Sequence, residues 1–109
     1  MTEEGYGNYV EDRLNEEYGE ENVERNVYLP QTYRYVDFLV DTGIMTLAIE
    51  LEHSSEKVVK EGYGQVQMYA KHNRKWAPAI IYPPDGENEE ELQMVGQDVV
   101  LIPIPHKHR

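Results

Sequence analysis

The spacing of apolar positions along the chain changes period several times, and each change predicts a new element. Residues 8–18 place Val10, Leu14 and Tyr18 at helical intervals, with Asn8 as a candidate cap and Gly19 as the stop. An acidic connector, Glu20 to Glu24, separates this helix from three runs rich in β-branched and aromatic residues, at 26–30, 33–40 and 44–52. Gln31-Thr32 and the turn signal Asp41-Thr42-Gly43 divide the runs, so they read as three consecutive antiparallel strands. Helical spacing returns over 55–73 through Val59, Gly62 or Tyr63, Val66 and Tyr69 or Ala70, with Ser54 or Ser55 as the cap. A short buried strand is predicted at 77–82 and is ended by Pro83-Pro84-Asp85-Gly86. Acidic helical turns follow at Glu89 to Val95, and a last apolar strand at 98–104. The order α-β-β-β-α-β-(α)-β predicts one α/β domain over 1–109, a sandwich built on a mixed central sheet.

Three carboxylates stand out from this patterning. Asp37 lies inside Tyr-Val-Asp-Phe-Leu-Val, where a charge is costly unless it is paired or holds a metal. Side chains alternate along a strand, so Ile49 and Leu51 take one side and Glu50 and Glu52 the other. A hairpin sets Asp37 and Glu50 on neighbouring strands, and on a shared face their like charges call for a divalent cation with oxygen ligands. Glu11, near the apolar stripe of the first helix, is within reach of the same place. Each residue also has a plain structural reading. Glu11 closes an Asn8-x-x-Glu11 capping box, while Glu50 and Glu52 form an exposed strand face ending at His53. Lys57, Lys60, Lys71, Arg74 and Lys75 form a solvated helix face. His53 and His72 lack the spacing of a zinc site, and His106 and His108 belong to a basic tail expected to be mobile.

The order of these residues resembles the PD-(D/E)xK nuclease superfamily. Its pattern is a Glu on a first helix, an Asp on one strand, Glu-x-Lys on the next and a helix behind, in an αβββαβ core of the restriction-endonuclease type. Here the matching residues are Glu11, Val36-Asp37 and Glu50-Leu51-Glu52, spanning nearly the whole chain. Gln65-Val-Gln-Met-Tyr69 is similar to the Gln-hydrophobic-x-x-Tyr motif on the second helix of RecB-like members, with Gln65 and Tyr69 adjacent on one helical face. Val36 stands where a proline is usual, and Glu52 stands where the superfamily has its lysine. Some members are similar in placing a Glu there, and others bring in a Lys from the next helix, a part open to Lys57 or Lys60.

The resemblance implies a metal-dependent deoxyribonuclease, either a RecB-like exonuclease or a Holliday junction resolvase, acting on DNA as a homodimer. It implies Mg²⁺ or Mn²⁺ held by Glu11, Asp37, Glu50 and the Leu51 carbonyl, with Glu52 as base or second-metal ligand. Lys57 would donate to a phosphate oxygen, Gln65 would hydrogen-bond near the ligands, and Tyr69 would pack or donate its hydroxyl. With the lysine absent, a relative that binds nucleic acid or a partner without cutting is the alternative.

Charge raises an objection to DNA, and its distribution answers it. The chain has 109 residues with 21 acids against 10 bases, a formal charge of −11, whereas phosphate affinity comes from Lys and Arg. Residues 1–24 carry nine acids and one base, and 85–98 carry six acids and no base. The middle, 25–84, carries seven bases and six acids, a balance that argues against a DNA mimic. Acid-rich, lysine-poor composition suggests a halophilic host, an archaeon or its virus. In such salt the Debye length falls to about 3 Å or less and repulsion from DNA is screened. The absence of cysteine excludes disulfides, thiolate metal sites, thiol nucleophiles and cysteine-ligated iron–sulfur clusters. No apolar run of signal or membrane-span length is seen, which predicts a cytoplasmic protein without a membrane partner. Nine tyrosines accompany a single phenylalanine; packing with a wet hydroxyl is the plain reading, and stacking on bases the functional one.

Overall fold

A computed structural model describes residues 1–107; His108 and Arg109 lie outside the described residues. Five strands, β1 (Val23–Leu29), β2 (Arg34–Asp41), β3 (Thr46–Leu51), β4 (Trp76–Tyr82) and β5 (Val100–Pro103), form one sheet in sequence order. The first three run antiparallel, and β3, β4 and β5 run parallel. Connection length explains the change of sense. Tight turns join β1 to β2 and β2 to β3, whereas helices join the later strands, and only a long crossover returns a chain parallel to itself. The fold is α/β with a mixed sheet, in the element order read from the sequence.

Helix α1 (Glu3–Tyr18) covers one face. It begins well before Asn8. Thr2 is its cap, accepting from the Gly5 N–H at 3.0 Å, so Asn8 and Glu11 form no capping box. Gly5 and Gly7, poor helix formers, flank Tyr6 and hide its place on the stripe of Val10 and Leu14. On the opposite face, α2 (Ser55–Lys57), a wide π turn at Val58–Gly62 and α3 (Tyr63–His72) follow one another. The Ser54 hydroxyl starts this rod by accepting from the Lys57 N–H. α4 (Glu89–Val95) carries the acids expected there and buries Val95 on the same side. No helix among the described residues is long and apolar enough to cross a membrane.

Two apolar clusters hold the layers together. Tyr6, Val10 and Leu14 of α1 meet Phe38, Val40, Leu47, Ile49, Ala79 and Ile81 on one side of the sheet. Val58, Val66 and Tyr69 meet Leu29, Val36, Ala48, Ile80 and Tyr82 on the other. Phe38 and Val40 thus pack toward α1 while Val36 packs toward α3. The strand changes faces at Asp37, and its partner β1 changes with it at Asn26, which takes a left-handed φ of 56° that Asn tolerates. This twist turns Asp37 out of both apolar clusters.

The C-terminal segment is anchored through α1. Ile104 donates to the Tyr82 carbonyl and accepts from the Tyr6 hydroxyl at 2.7 Å, both within the core. His106 is not loose as the sequence suggested, because its ring packs 4.9 Å from that of Tyr6. Tyr6→Phe removes the buried hydroxyl and leaves a carbonyl without its partner, so it should lower stability by about 1–2 kcal/mol. Urea unfolding measures this, and an unchanged midpoint would mean that the hydroxyl anchors nothing.

Candidate functional site

The β2–β3 ladder pairs Asp41 with Thr46 and runs as far as Phe38 with Ile49, where it stops. The next residues in register are Asp37 and Glu50, so the two carboxyls stand side by side where the strands part. Asp37 bridges the gap, its Oδ2 accepting from the Leu51 N–H at 2.7 Å. Its charge also bears on the neighbouring carboxyl of Glu50. Glu50 is held from below by the Tyr69 hydroxyl, which also lies 3.0 Å from the Tyr35 carbonyl. A phenol donates a single proton, so Tyr69 serves one of these acceptors at a time. Glu52 follows past the end of β3 and is 5% exposed.

Burial and mutual repulsion act on all three carboxyls. Burial followed by the neighbouring Asp37 charge pushes Glu50 up to about 8. Burial, then Glu61, pushes Glu52 up to about 7. Asp37 is also raised by burial, against the opposing hydrogen bonds from Leu51 and Glu50. Both carboxyls are thus held above their ordinary values, with burial the largest cause for each. The Tyr69 hydroxyl works the other way on Glu50, since its hydrogen bond favours the ionised carboxylate, while burial and the Glu50 charge push the phenol itself up.

These groups open into a cleft of about 450 Å³ lined by Asp37, Glu50, Leu51, Glu52, Lys57 and Gln65, among others. Of the residues proposed from sequence, this cleft gathers those six, and Tyr69 meets it through Glu50. Glu11 does not reach it. Its Oε1 lies 3.0 Å from Nη1 of Arg25 at the outer flank of α1, which corrects the expectation that it joins the other carboxylates. Lys60 pairs with Glu56 at 2.6 Å, outside the cleft, while Lys57 stands at the cleft wall 3.8 Å from Glu61.

Sequence reasoning missed two residues here. Arg25 lines the cleft with its guanidinium held by Asn8 Oδ1 at 2.8 Å and by Glu11, over the Phe38 ring. It occupies space that Gly7 leaves open, where an added Cβ would lie 2.7 Å from Nη2. Nothing local marks Arg25, because its place depends on how β1 registers against β2 and docks on α1. Gly62 is the second. A Cβ there would come within 3.0 Å of Glu52 Cγ and 3.3 Å of Ile80 Cδ1, so the π turn brings bare backbone against the Glu52 side chain.

The donor set suits a hard divalent cation. Two carboxylates and the Leu51 carbonyl are all oxygen, the preference of Mg²⁺ and Mn²⁺, and Mg²⁺ commonly takes only one or two protein carboxylates. With Glu11 engaged elsewhere, no three His, Cys, Asp or Glu among the described residues form a group that could hold a metal by themselves. The remaining positions would fall to water or to a phosphate. No family model matches the chain, and no curated protein or solved structure matches it either.

The raised carboxyls give the metal-free protein a defined pH dependence. Glu50 and Glu52 ionise more readily unfolded than folded, so their contribution is fully present below the ordinary carboxylate range and is lost as pH climbs through about 7 and 8. At about 1.4 kcal/mol per pH unit of displacement, the loss between pH 5 and pH 8.5 is on the order of a few kcal/mol. Thermal melts in EDTA should show Tm falling across this range, with the slope flattened by Glu50→Gln. A slope identical in Glu50→Gln and wild type would sink the assignment.

Proposed function

We propose that the protein is a divalent-metal-dependent deoxyribonuclease. The observation that carries this reading is the paired Asp37 and Glu50 at the parting of two strands, beside the Leu51 backbone and open to a cleft that Glu52, Gln65, Arg25 and Lys57 also line. Such a pair is unfavourable alone, and a cation relieves it. The element order and the Gln65 to Tyr69 spacing of the PD-(D/E)xK resemblance support the same reading.

Asp37, Glu50 and the Leu51 carbonyl would hold Mg²⁺ or Mn²⁺, with both carboxyls ionised. Once bound, the cation supplies a lowered pKa for water and neutralises charge on the scissile phosphate. Glu52, buried beside the pair at the cleft, would take the proton from the attacking water. Arg25 and Lys57 donate to phosphate oxygens, and Arg25 is the better oriented because Asn8 and Glu11 already fix its guanidinium. Gln65 hydrogen-bonds at the cleft wall, and Tyr69 holds Glu50 in place.

DNA as substrate and assembly as a homodimer belong to this proposal. So does a halophilic setting, in which screening removes the penalty of the acidic surface. The test is cleavage of linear, circular and branched DNA with Mg²⁺ and Mn²⁺ from 0.1 M to molar salt. Wild type should cut only with metal and retain activity in molar salt. Asp37→Ala and Glu50→Ala should abolish cutting, and Arg25→Gln should slow it by on the order of a hundredfold. Metal binding by calorimetry with no cleavage of any substrate would favour the non-cutting relative, and cleavage surviving both alanine substitutions would exclude this site.

A further inference from the structure

The turn and strands that lead into the cleft carry three exposed tyrosines in a segment unlike the rest of the surface. Residues 25–36 contain Arg25 and Arg34 and no acid, in a chain with 21 acids. Tyr28 and Tyr35 are direct partners across β1 and β2, with ring centroids 5.1 Å apart, and are 44% and 57% exposed. Tyr33, in the connecting turn, is 84% exposed and held at a left-handed φ of 56°. Val27, Leu29 and Val36 point to the α3 side, so Tyr28 and Tyr35 occupy the other face of the ribbon. Arg25 and Phe38 lie farther along that face, where α1 packs.

The platform is tied directly to the candidate site. Tyr35 is two residues from Asp37, about 7 Å along the strand. Its carbonyl is in contact with the Tyr69 hydroxyl that also meets Glu50. Exposed aromatic rings on a stretch that carries no acid of its own, with Arg25 farther along the same face and Arg34 on the opposite one, are complementary to one class of ligand. Unpaired bases stack on tyrosine faces whatever their identity, and the arginines meet the phosphates between them. Stacking is also the attraction that survives high salt, where contacts made by many cations are lost.

We propose that the β1–β2 hairpin is a stacking platform that holds single-stranded nucleic acid, with Tyr28, Tyr33 and Tyr35 against the bases, and delivers it to the cleft. The proposal rests on the nuclease reading for its delivery step, while the binding itself is measured without it.

The experiment is fluorescence anisotropy of a labelled oligothymidine with the full chain in EDTA, so that neither metal nor cleavage contributes. Wild type should bind the single strand more tightly than a blunt duplex. Tyr33→Asn keeps a residue suited to the left-handed turn and removes the ring, and should weaken binding on the order of tenfold. Tyr28→Thr should do the same, whereas Tyr33→Phe should bind as wild type. Two neutralised phosphates predict a shallow salt dependence, a log–log slope of about −1.4. Equal binding by Tyr33→Asn, preference for duplex, or a steep salt slope would overturn the platform, as would sedimentation showing that the tyrosines join two copies of the chain. Cleavage by wild type with tyrosine-independent binding would remove the platform and leave the nuclease reading. Tyrosine-dependent binding with no cleavage under any metal would do the reverse.

Discussion

Two carboxyl groups that cannot both be charged, Asp37 and Glu50, set the local architecture around them. The sheet accommodates them by ending the β2–β3 ladder one residue early and letting the Asp37 carboxylate accept the Leu51 N–H. An unpaired buried N–H and an unpaired buried carboxylate would each be costly, and one hydrogen bond removes both penalties. Glu50 has the poorer position, since it takes burial and the Asp37 charge together and leans on Tyr69 for its contact. The pair is thus held in register by the backbone of β3 and the first cores of two layers, and it is relieved only by a proton or a cation.

The surrounding elements are shaped to the pair. Any other residue at Gly62, in the wide turn at Val58–Gly62, would set a Cβ 3.0 Å from Glu52 Cγ, and the glycine leaves that space to the Glu52 side chain. On the other side, Gly7 leaves room on α1 for the Arg25 guanidinium, which Asn8 and Glu11 fix from the same helix. Glu11 therefore acts on the cleft through Arg25 and not through a metal. A guanidinium held by two partners is a fixed positive charge, and a solvated lysine such as Lys57 is a mobile one.

Much of this was readable from local pattern. Asp37 and Glu50 declared themselves because charges within apolar strand runs violate the period around them, and the three antiparallel strands followed from composition and turns. Gln65 and Tyr69 stood out through their resemblance to the Gln-hydrophobic-x-x-Tyr motif, and helical spacing set them on one face. What escaped depends on contacts between distant segments. The start of α1 was masked by two glycines that weaken the helical signal, and Arg25 gained its place only when β1 paired with β2 beneath α1. The π turn has no period that a residue pattern exposes, so the closeness of Gly62 to Glu52 emerged only from the packed layers. The direction of Glu11 was lost with the helix boundary, since a cap at Thr2 makes Asn8 and Glu11 interior neighbours that share one arginine.

The hairpin and the carboxyl pair are mechanically one unit, which bears on how a ligand on one would be felt at the other. Tyr35 and Asp37 share β2, and a single phenolic proton at Tyr69 is contested by the Tyr35 carbonyl and by Glu50. A displacement of the strand that lengthens the contact to Tyr35 frees that proton for Glu50 and favours the ionised carboxylate a cation requires. A displacement that shortens it leaves Glu50 to keep its own proton. Asn26 and Asp37 lie where the ribbon changes faces, between the exposed tyrosines and the cleft. The hairpin and the cleft therefore meet at one hydroxyl, over the span of two residues of β2.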